Sequence, residues 1–139
     1  MFRKIVFAND GSPAADRALF YLEHLAREED AEVVVVHAYE PPKRYAGQEG
    51  YETLVEAYER LAREIVDEAV EHLAQAGVSV RGLVREGPAA RVILGVAQEE
   101  KASLLVLGSR GPSSAAELLL GSVSMEVLRF AQCPVLVVP

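Results

Sequence analysis

The residues of this chain best suited to chemistry lie between Gly108 and Ser124, in GSRGPSSAAELLLGSVS. Gly108 and Gly111 stand three apart, Gly121 follows ten positions later, and Ser122, Val123 and Ser124 come directly after it. Glycines in a loop that leads from a strand to a helix let backbone N–H groups turn toward an anion with no side chain in the way. Ser122 and Ser124 add hydroxyl groups and Arg110 adds a mobile positive charge. A helix beginning near Ser122 adds the positive end of its dipole. The chemistry that suits this set is the holding of phosphate groups. A plain surface loop ending in a serine cap has the same spacing, so on the residues alone both readings stand.

A second set follows the apolar run Lys4 to Ala8, in Asn9-Asp10-Gly11-Ser12. Asp10 is a carboxylate beside the strand end, and an Asp in such a turn often serves only as a turn former. No G-x-x-x-x-G-K-[ST] occurs, and no G-x-G-x-x-G follows the first apolar run, so neither a Walker A loop nor a dinucleotide fingerprint is present. His37 lies inside VVVVHA and is expected to be a hydrogen-bonded core or partner-facing residue rather than a metal ligand. His24 and His72 have no second ligand one helical turn on, so no metal site made by the protein alone is expected. Cys133 is expected to be a small packed residue with no neighbouring charge to lower its pKa.

The elements that must position these residues alternate in type. Lys4 to Ala8 reads as a strand, and Ser12-Pro13 opens a helix ending near Asp30 with Ala15, Ala18, Leu19, Leu22, Leu25 and Ala26 on one face. Val33 to Ala38 is a β-branched run apolar throughout, as a strand buried on both faces should be. Tyr39 to Gly50 reads as a loop, and Tyr51 to Ala76 as a long helix with an apolar stripe at Leu54, Tyr58, Leu61, Ile65, Ala69 and Leu73. Val78 to Val84 looks like a strand nearer a sheet edge. A helix from Gly87-Pro88 to about Glu100, a buried strand at Leu104 to Leu107, a helix from Val123 to Ala131 and a strand at Val135 to Val138 complete the chain. This order predicts one α/β domain over residues 1–139, with a parallel sheet covered by helices on both faces. In such a sheet, ligands bind beyond the strand carboxyl ends where the strand order reverses, which would bring the two candidate sets together.

Composition narrows the partners. A net charge of −7 without a Lys/Arg run argues against general affinity for nucleic acid or anionic membrane. No apolar run reaches membrane-spanning length, the apolar segment in the opening MFRKIVFANDG is too short for a signal peptide, and one cysteine permits no intrachain disulfide. A cytoplasmic protein is expected.

Gly108-x2-Gly111-x9-Gly121-Ser122 resembles the nucleotide motif of ATP-binding members of the universal stress protein family. KIVFANDGSPAADRAL, VVVVHA and CPVLVVP resemble that family's opening, second and final strands, so the resemblance spans essentially the whole chain. It implies a five-stranded parallel sheet of order 3-2-1-4-5 and ATP as ligand, with Mg²⁺. It sets Asn9, Asp10 and Ala38 at the adenosine end, and Gly108, Arg110 and Gly111 along ribose and phosphates. Gly121, Ser122, Val123 and Ser124 fall at the phosphate end. Ala38 stands where relatives often have Val, and Pro112 removes one backbone donor from the loop. With Asp10 as the one obvious base or metal ligand and no Lys in the motif, hydrolysis should be slow at best. A nucleotide-binding regulatory protein is therefore the leading reading, with a weak ATP hydrolase and a nucleotide-independent dimeric adaptor as alternatives. The resemblance also implies a homodimer through Val135 to Val138, a short apolar edge strand bracketed by Pro134 and Pro139.

Overall fold

A computed structural model describes residues 1–110 and 120–139. The apolar runs become strands β1 (Lys4–Ala8), β2 (Glu32–Tyr39), β4 (Leu104–Gly108) and β5 (Val135–Val138), with β3 (Ser79–Glu86) between β2 and β4 in the chain. They form one parallel sheet in the order β3-β2-β1-β4-β5. Helices α1 (Pro13–Glu29), α2 (Tyr51–Gln75), α3 (Ala89–Glu99) and α4 (Ser122–Phe130) connect the strands. The α/β architecture and its strand order are those expected.

Two apolar clusters sandwich the sheet. On one face Ile5, Phe7, Val33, Val35 and Val106 meet Ala18 and Leu22 of α1 and Val66 and Leu73 of α2. On the other, Val6, Val34, Val36 and Leu105 meet Ile93 and Val96 of α3 and Val127 of α4. Successive strand side chains point to opposite faces, so a strand covered on both must be apolar at every position. That is why β1, β2 and β4 lack the polar alternation of an exposed sheet. The β3 residues are only partly buried, as the edge position requires.

Local signals account for the helix ends. Ser12 caps α1, its Oγ accepting from Ala15 N–H at 3.1 Å, and Pro13 occupies the first turn. Three expectations need adjustment. β2 and β3 run on to Tyr39 and Glu86, which pair with each other, and the expected loop contains a short 3₁₀ turn at Lys43–Tyr45. The buried stripe of α2 is Ala62, Val66, Ala69 and Leu73, while Leu61 is 60% exposed. Small and β-branched residues face the sheet because α2 packs on β2 and β3, and this turns Leu61 outward. Among the described residues no helix is long and apolar enough to cross a membrane.

Candidate functional site

β1 pairs with β2 on one side and β4 on the other, so the chain order reverses beside β1. The carboxyl end of β1 carries Asn9-Asp10-Gly11-Ser12. Asn9 is buried, and each of its polar atoms has a partner. Its N–H donates to Val36 O at 2.9 Å, its Oδ1 accepts from Gly11 N–H at 3.0 Å, and its Nδ2 donates to Ile65 O of α2 at 3.3 Å. Its backbone carbonyl accepts from His37 Nδ1 at 2.6 Å. Asp10 Oδ1 accepts from Ser12 N–H at 2.9 Å, the turn-forming role open to an Asp here. Gly11 has φ of 76°, a left-handed conformation that disfavours side chains, and a Cβ there would lie 3.2 Å from Ile65 Cδ1.

Across the reversal lie the end of β4 and the start of α4. Ser109 N–H donates to Val138 O of β5 and its carbonyl accepts from Gly121 N–H, both at 2.7 Å. Ser124 Oγ donates to Gly108 O at 2.8 Å and is buried, so this hydroxyl hydrogen is used to hold α4 to β4. Gly121 is the N-cap of α4, and a glycine has no side chain with which to cap it. Met125 N–H closes the first helical turn on Gly121 O at 3.0 Å. The amides of Ser122, Val123 and Ser124 thus precede the first intrahelical bond, and among the described residues no acceptor meets them. A cradle for an anion needs such donors.

Gly108 has a further reason to be glycine. A Cβ at this position would come within 2.8 Å of Ala14 Cβ and Ala15 N, in the first turn of α1. The bare backbone lets α1 close onto β4 and brings the two candidate sets together. Ala38 sits at the end of β2, directly after His37 and partly buried, and Arg110 follows Ser109. Gly111 lies outside the described residues, as does Pro112. Among the described residues no group of three or more His, Cys, Asp or Glu side chains is arranged to hold a metal ion.

A model of the Universal stress protein family matches residues 1–139. The chain belongs to the universal stress protein family. It is 40% identical over 139 residues, 99% of each chain, to the Thermus aquaticus protein called universal stress protein in QAH/OAS sulfhydrylase 3'region. It is also similar to the solved structure of the hypothetical protein MJ0577, with a TM-score of 0.90, 26% identity and coverage of 99% of this chain and 96% of that one. A crystal structure of a universal stress protein in complex with cAMP is 26% identical, with a TM-score of 0.77 and coverage of 99% and 97%.

Several residues of this universal stress protein that build the site carried no local signal. Ile65 meets the turn from α2, 56 positions away, and Ser109 ties β5 to α4. His37 was legible as a hydrogen-bonded residue, though not its partner. The other polar candidates lie elsewhere. His72 Nε2 meets Glu23 Oε1 at 2.6 Å and packs edge-on against Phe20, joining α2 to α1. Cys133 borders a cleft of about 620 Å³ between α3 and α4, lined by Leu94, Leu105 and Phe130. Burial pushes its thiol pKa up, outweighing a backbone hydrogen bond with Leu105, so the thiolate is disfavoured.

Proposed function

We propose that this universal stress protein binds ATP, with Mg²⁺, as a regulatory ligand and acts as a nucleotide-responsive switch. The observation that carries the reading is the start of α4, whose first amides meet no acceptor among the described residues, held by Ser109 and Ser124 at the end of β4 beside the Asn9–Ser12 turn. The donor set fits the ligand. Amides of Ser122 and Val123 suit phosphate oxygens at the positive end of a helix dipole. Ala38 and the Asp10 turn suit adenosine, and Gly108, Arg110, Gly111 and Gly121 complete the loop. Mg²⁺ would come with the nucleotide and neutralise phosphate charge, with Asp10 the nearest acid of the motif to it in role. The cAMP complex of a 26% identical relative supports an adenine nucleotide as the ligand class. Asp10 spends Oδ1 on Ser12 N–H, which supports a binding role over a general base.

The same proposal includes a homodimer through β5. This strand is a sheet edge on which Val135, Leu136 and Val137 are only partly buried. Nearby α4 leaves Met125, Leu128 and Phe130 between 42% and 59% exposed, an apolar surface suited to a second copy. The test begins with protein purified without added nucleotide. Mass spectrometry of co-purifying small molecules, followed by calorimetric titration of ATP, ADP, AMP and cyclic AMP, should give saturable binding with ATP preferred. Absence of binding by any of them would leave the nucleotide-independent adaptor, and turnover of ATP would restore the hydrolase.

A further inference from the structure

We infer that His37 is a positioning residue for the adenosine end of this site, acting through the carbonyl of Asn9; the inference rests on the nucleotide-binding reading above. A carbonyl oxygen only accepts hydrogen bonds, so the imidazole Nδ1 lying 2.6 Å from it must carry a hydrogen. That hydrogen is present both in the neutral Nδ1–H tautomer and in the imidazolium, so protonation of the ring leaves the bond intact. The carbonyl belongs to the Asn9–Asp10 peptide unit, which is planar and trans. Fixing its oxygen fixes the direction of Asp10 N–H, which points opposite to the oxygen and away from His37. Among the described residues no acceptor meets that N–H.

His37 is also the residue before Ala38 on β2. One side chain therefore orients the Asp10 turn relative to Ala38, the two protein surfaces proposed to face adenosine, while sheet pairing sets their spacing. The other bonds of Asn9 cannot do this. Asn9 N–H to Val36 continues the sheet, Oδ1 shapes its own turn, and Nδ2 reaches α2. Among the described residues, only the bond from His37 acts on the peptide plane that leads into Asp10.

The experiment compares His37→Asn with His37→Gln. The Asn amide nitrogen occupies about the place of Nδ1, whereas that of Gln lies farther out, near the place of Nε2. Calorimetry with ATP and with adenosine should show His37→Asn within about threefold of the unmodified protein. His37→Gln should lose about tenfold for both ligands, about 1.4 kcal/mol, with an unchanged far-ultraviolet spectrum. The ¹⁵N shifts of the His37 ring in the unmodified protein should report the Nδ1–H tautomer in its neutral form. An Nε2–H tautomer, equal affinities for the two variants, or a loss confined to ATP would each overturn the inference. Failure of the unmodified protein to bind any adenine nucleotide would overturn the reading beneath it as well, and the tautomer measurement would still test the bond itself.

Discussion

At Gly108 the backbone of β4 touches the first turn of α1 with no room for a methyl group. Gly108→Ala should push α1 from the sheet and cost about 1–3 kcal/mol, read from the urea midpoint of unfolding; an unchanged midpoint would remove this packing role. Gly121 differs. Its φ of −68° and ψ of 162° are extended values open to a branched residue. Gly121→Val should therefore keep the fold and weaken ATP at least about tenfold, about 1.4 kcal/mol, by crowding the phosphate end. Calorimetry on the folded variant checks this, and unchanged affinity would take Gly121 out of the site. Arg110→Ala should weaken ATP more than adenosine, with added salt shrinking the difference, because a charge-assisted bond to phosphate is screened. An equal loss for both ligands would mean that Arg110 only shapes the loop.

Among the elements, those with strong local chemistry were readable in the sequence. VVVVHA had to be a strand buried on both faces, and Ser12-Pro13 had to start a helix, because these signals depend on neighbours in the chain. The rotation of α2 was not readable. Leu61 and Ala62 lie on adjacent faces of one helix, and only packing on β2 and β3 selects Ala62, Val66, Ala69 and Leu73. The ties from Asn9 to His37 and Ile65 were hidden for the same reason, since they join residues 28 and 56 positions apart. Another tie of this kind links β3, α3 and β1, where Glu100 accepts from Arg81 and from Lys4. The hydrogen bond from Arg81 holds the Glu100 carboxyl below its usual range, opposed by burial and aided by Lys4. A carboxyl lowered on folding contributes stability above its unfolded pKa, lost as pH falls through the folded value. Glu100→Gln should therefore cost about 0.5 kcal/mol near neutral pH at low salt. The cost should vanish in acid, where both proteins are uncharged at this position. Urea unfolding of both proteins across this range is the check, and a cost that persists in acid would assign the effect to packing.

The whole molecule joins a site at one end of the sheet to an edge strand that reaches the same end. Ser109 N–H donates to Val138 O of β5 while its carbonyl holds Gly121, so the proposed phosphate end and the proposed dimer strand share one residue. Sedimentation should show a dimer at micromolar concentration; Val137→Lys should shift it toward monomer if that side chain faces the partner, and Leu136→Lys tests the other face of the strand. A monomeric unmodified protein would exclude β5 as a stable interface. Fold class and strand order were legible because strand–helix alternation and the family resemblance agree across the chain. How β5 and α4 meet at Ser109 was not, because nothing local marks that residue. The central claim, that an adenine nucleotide occupies the reversal point beside β1, is tested most directly by titrating ATP into the nucleotide-free protein in a calorimeter. The account predicts saturable binding near one ATP per chain, weakened by Gly121→Val; no binding of ATP, ADP, AMP or cyclic AMP by the folded protein would contradict it.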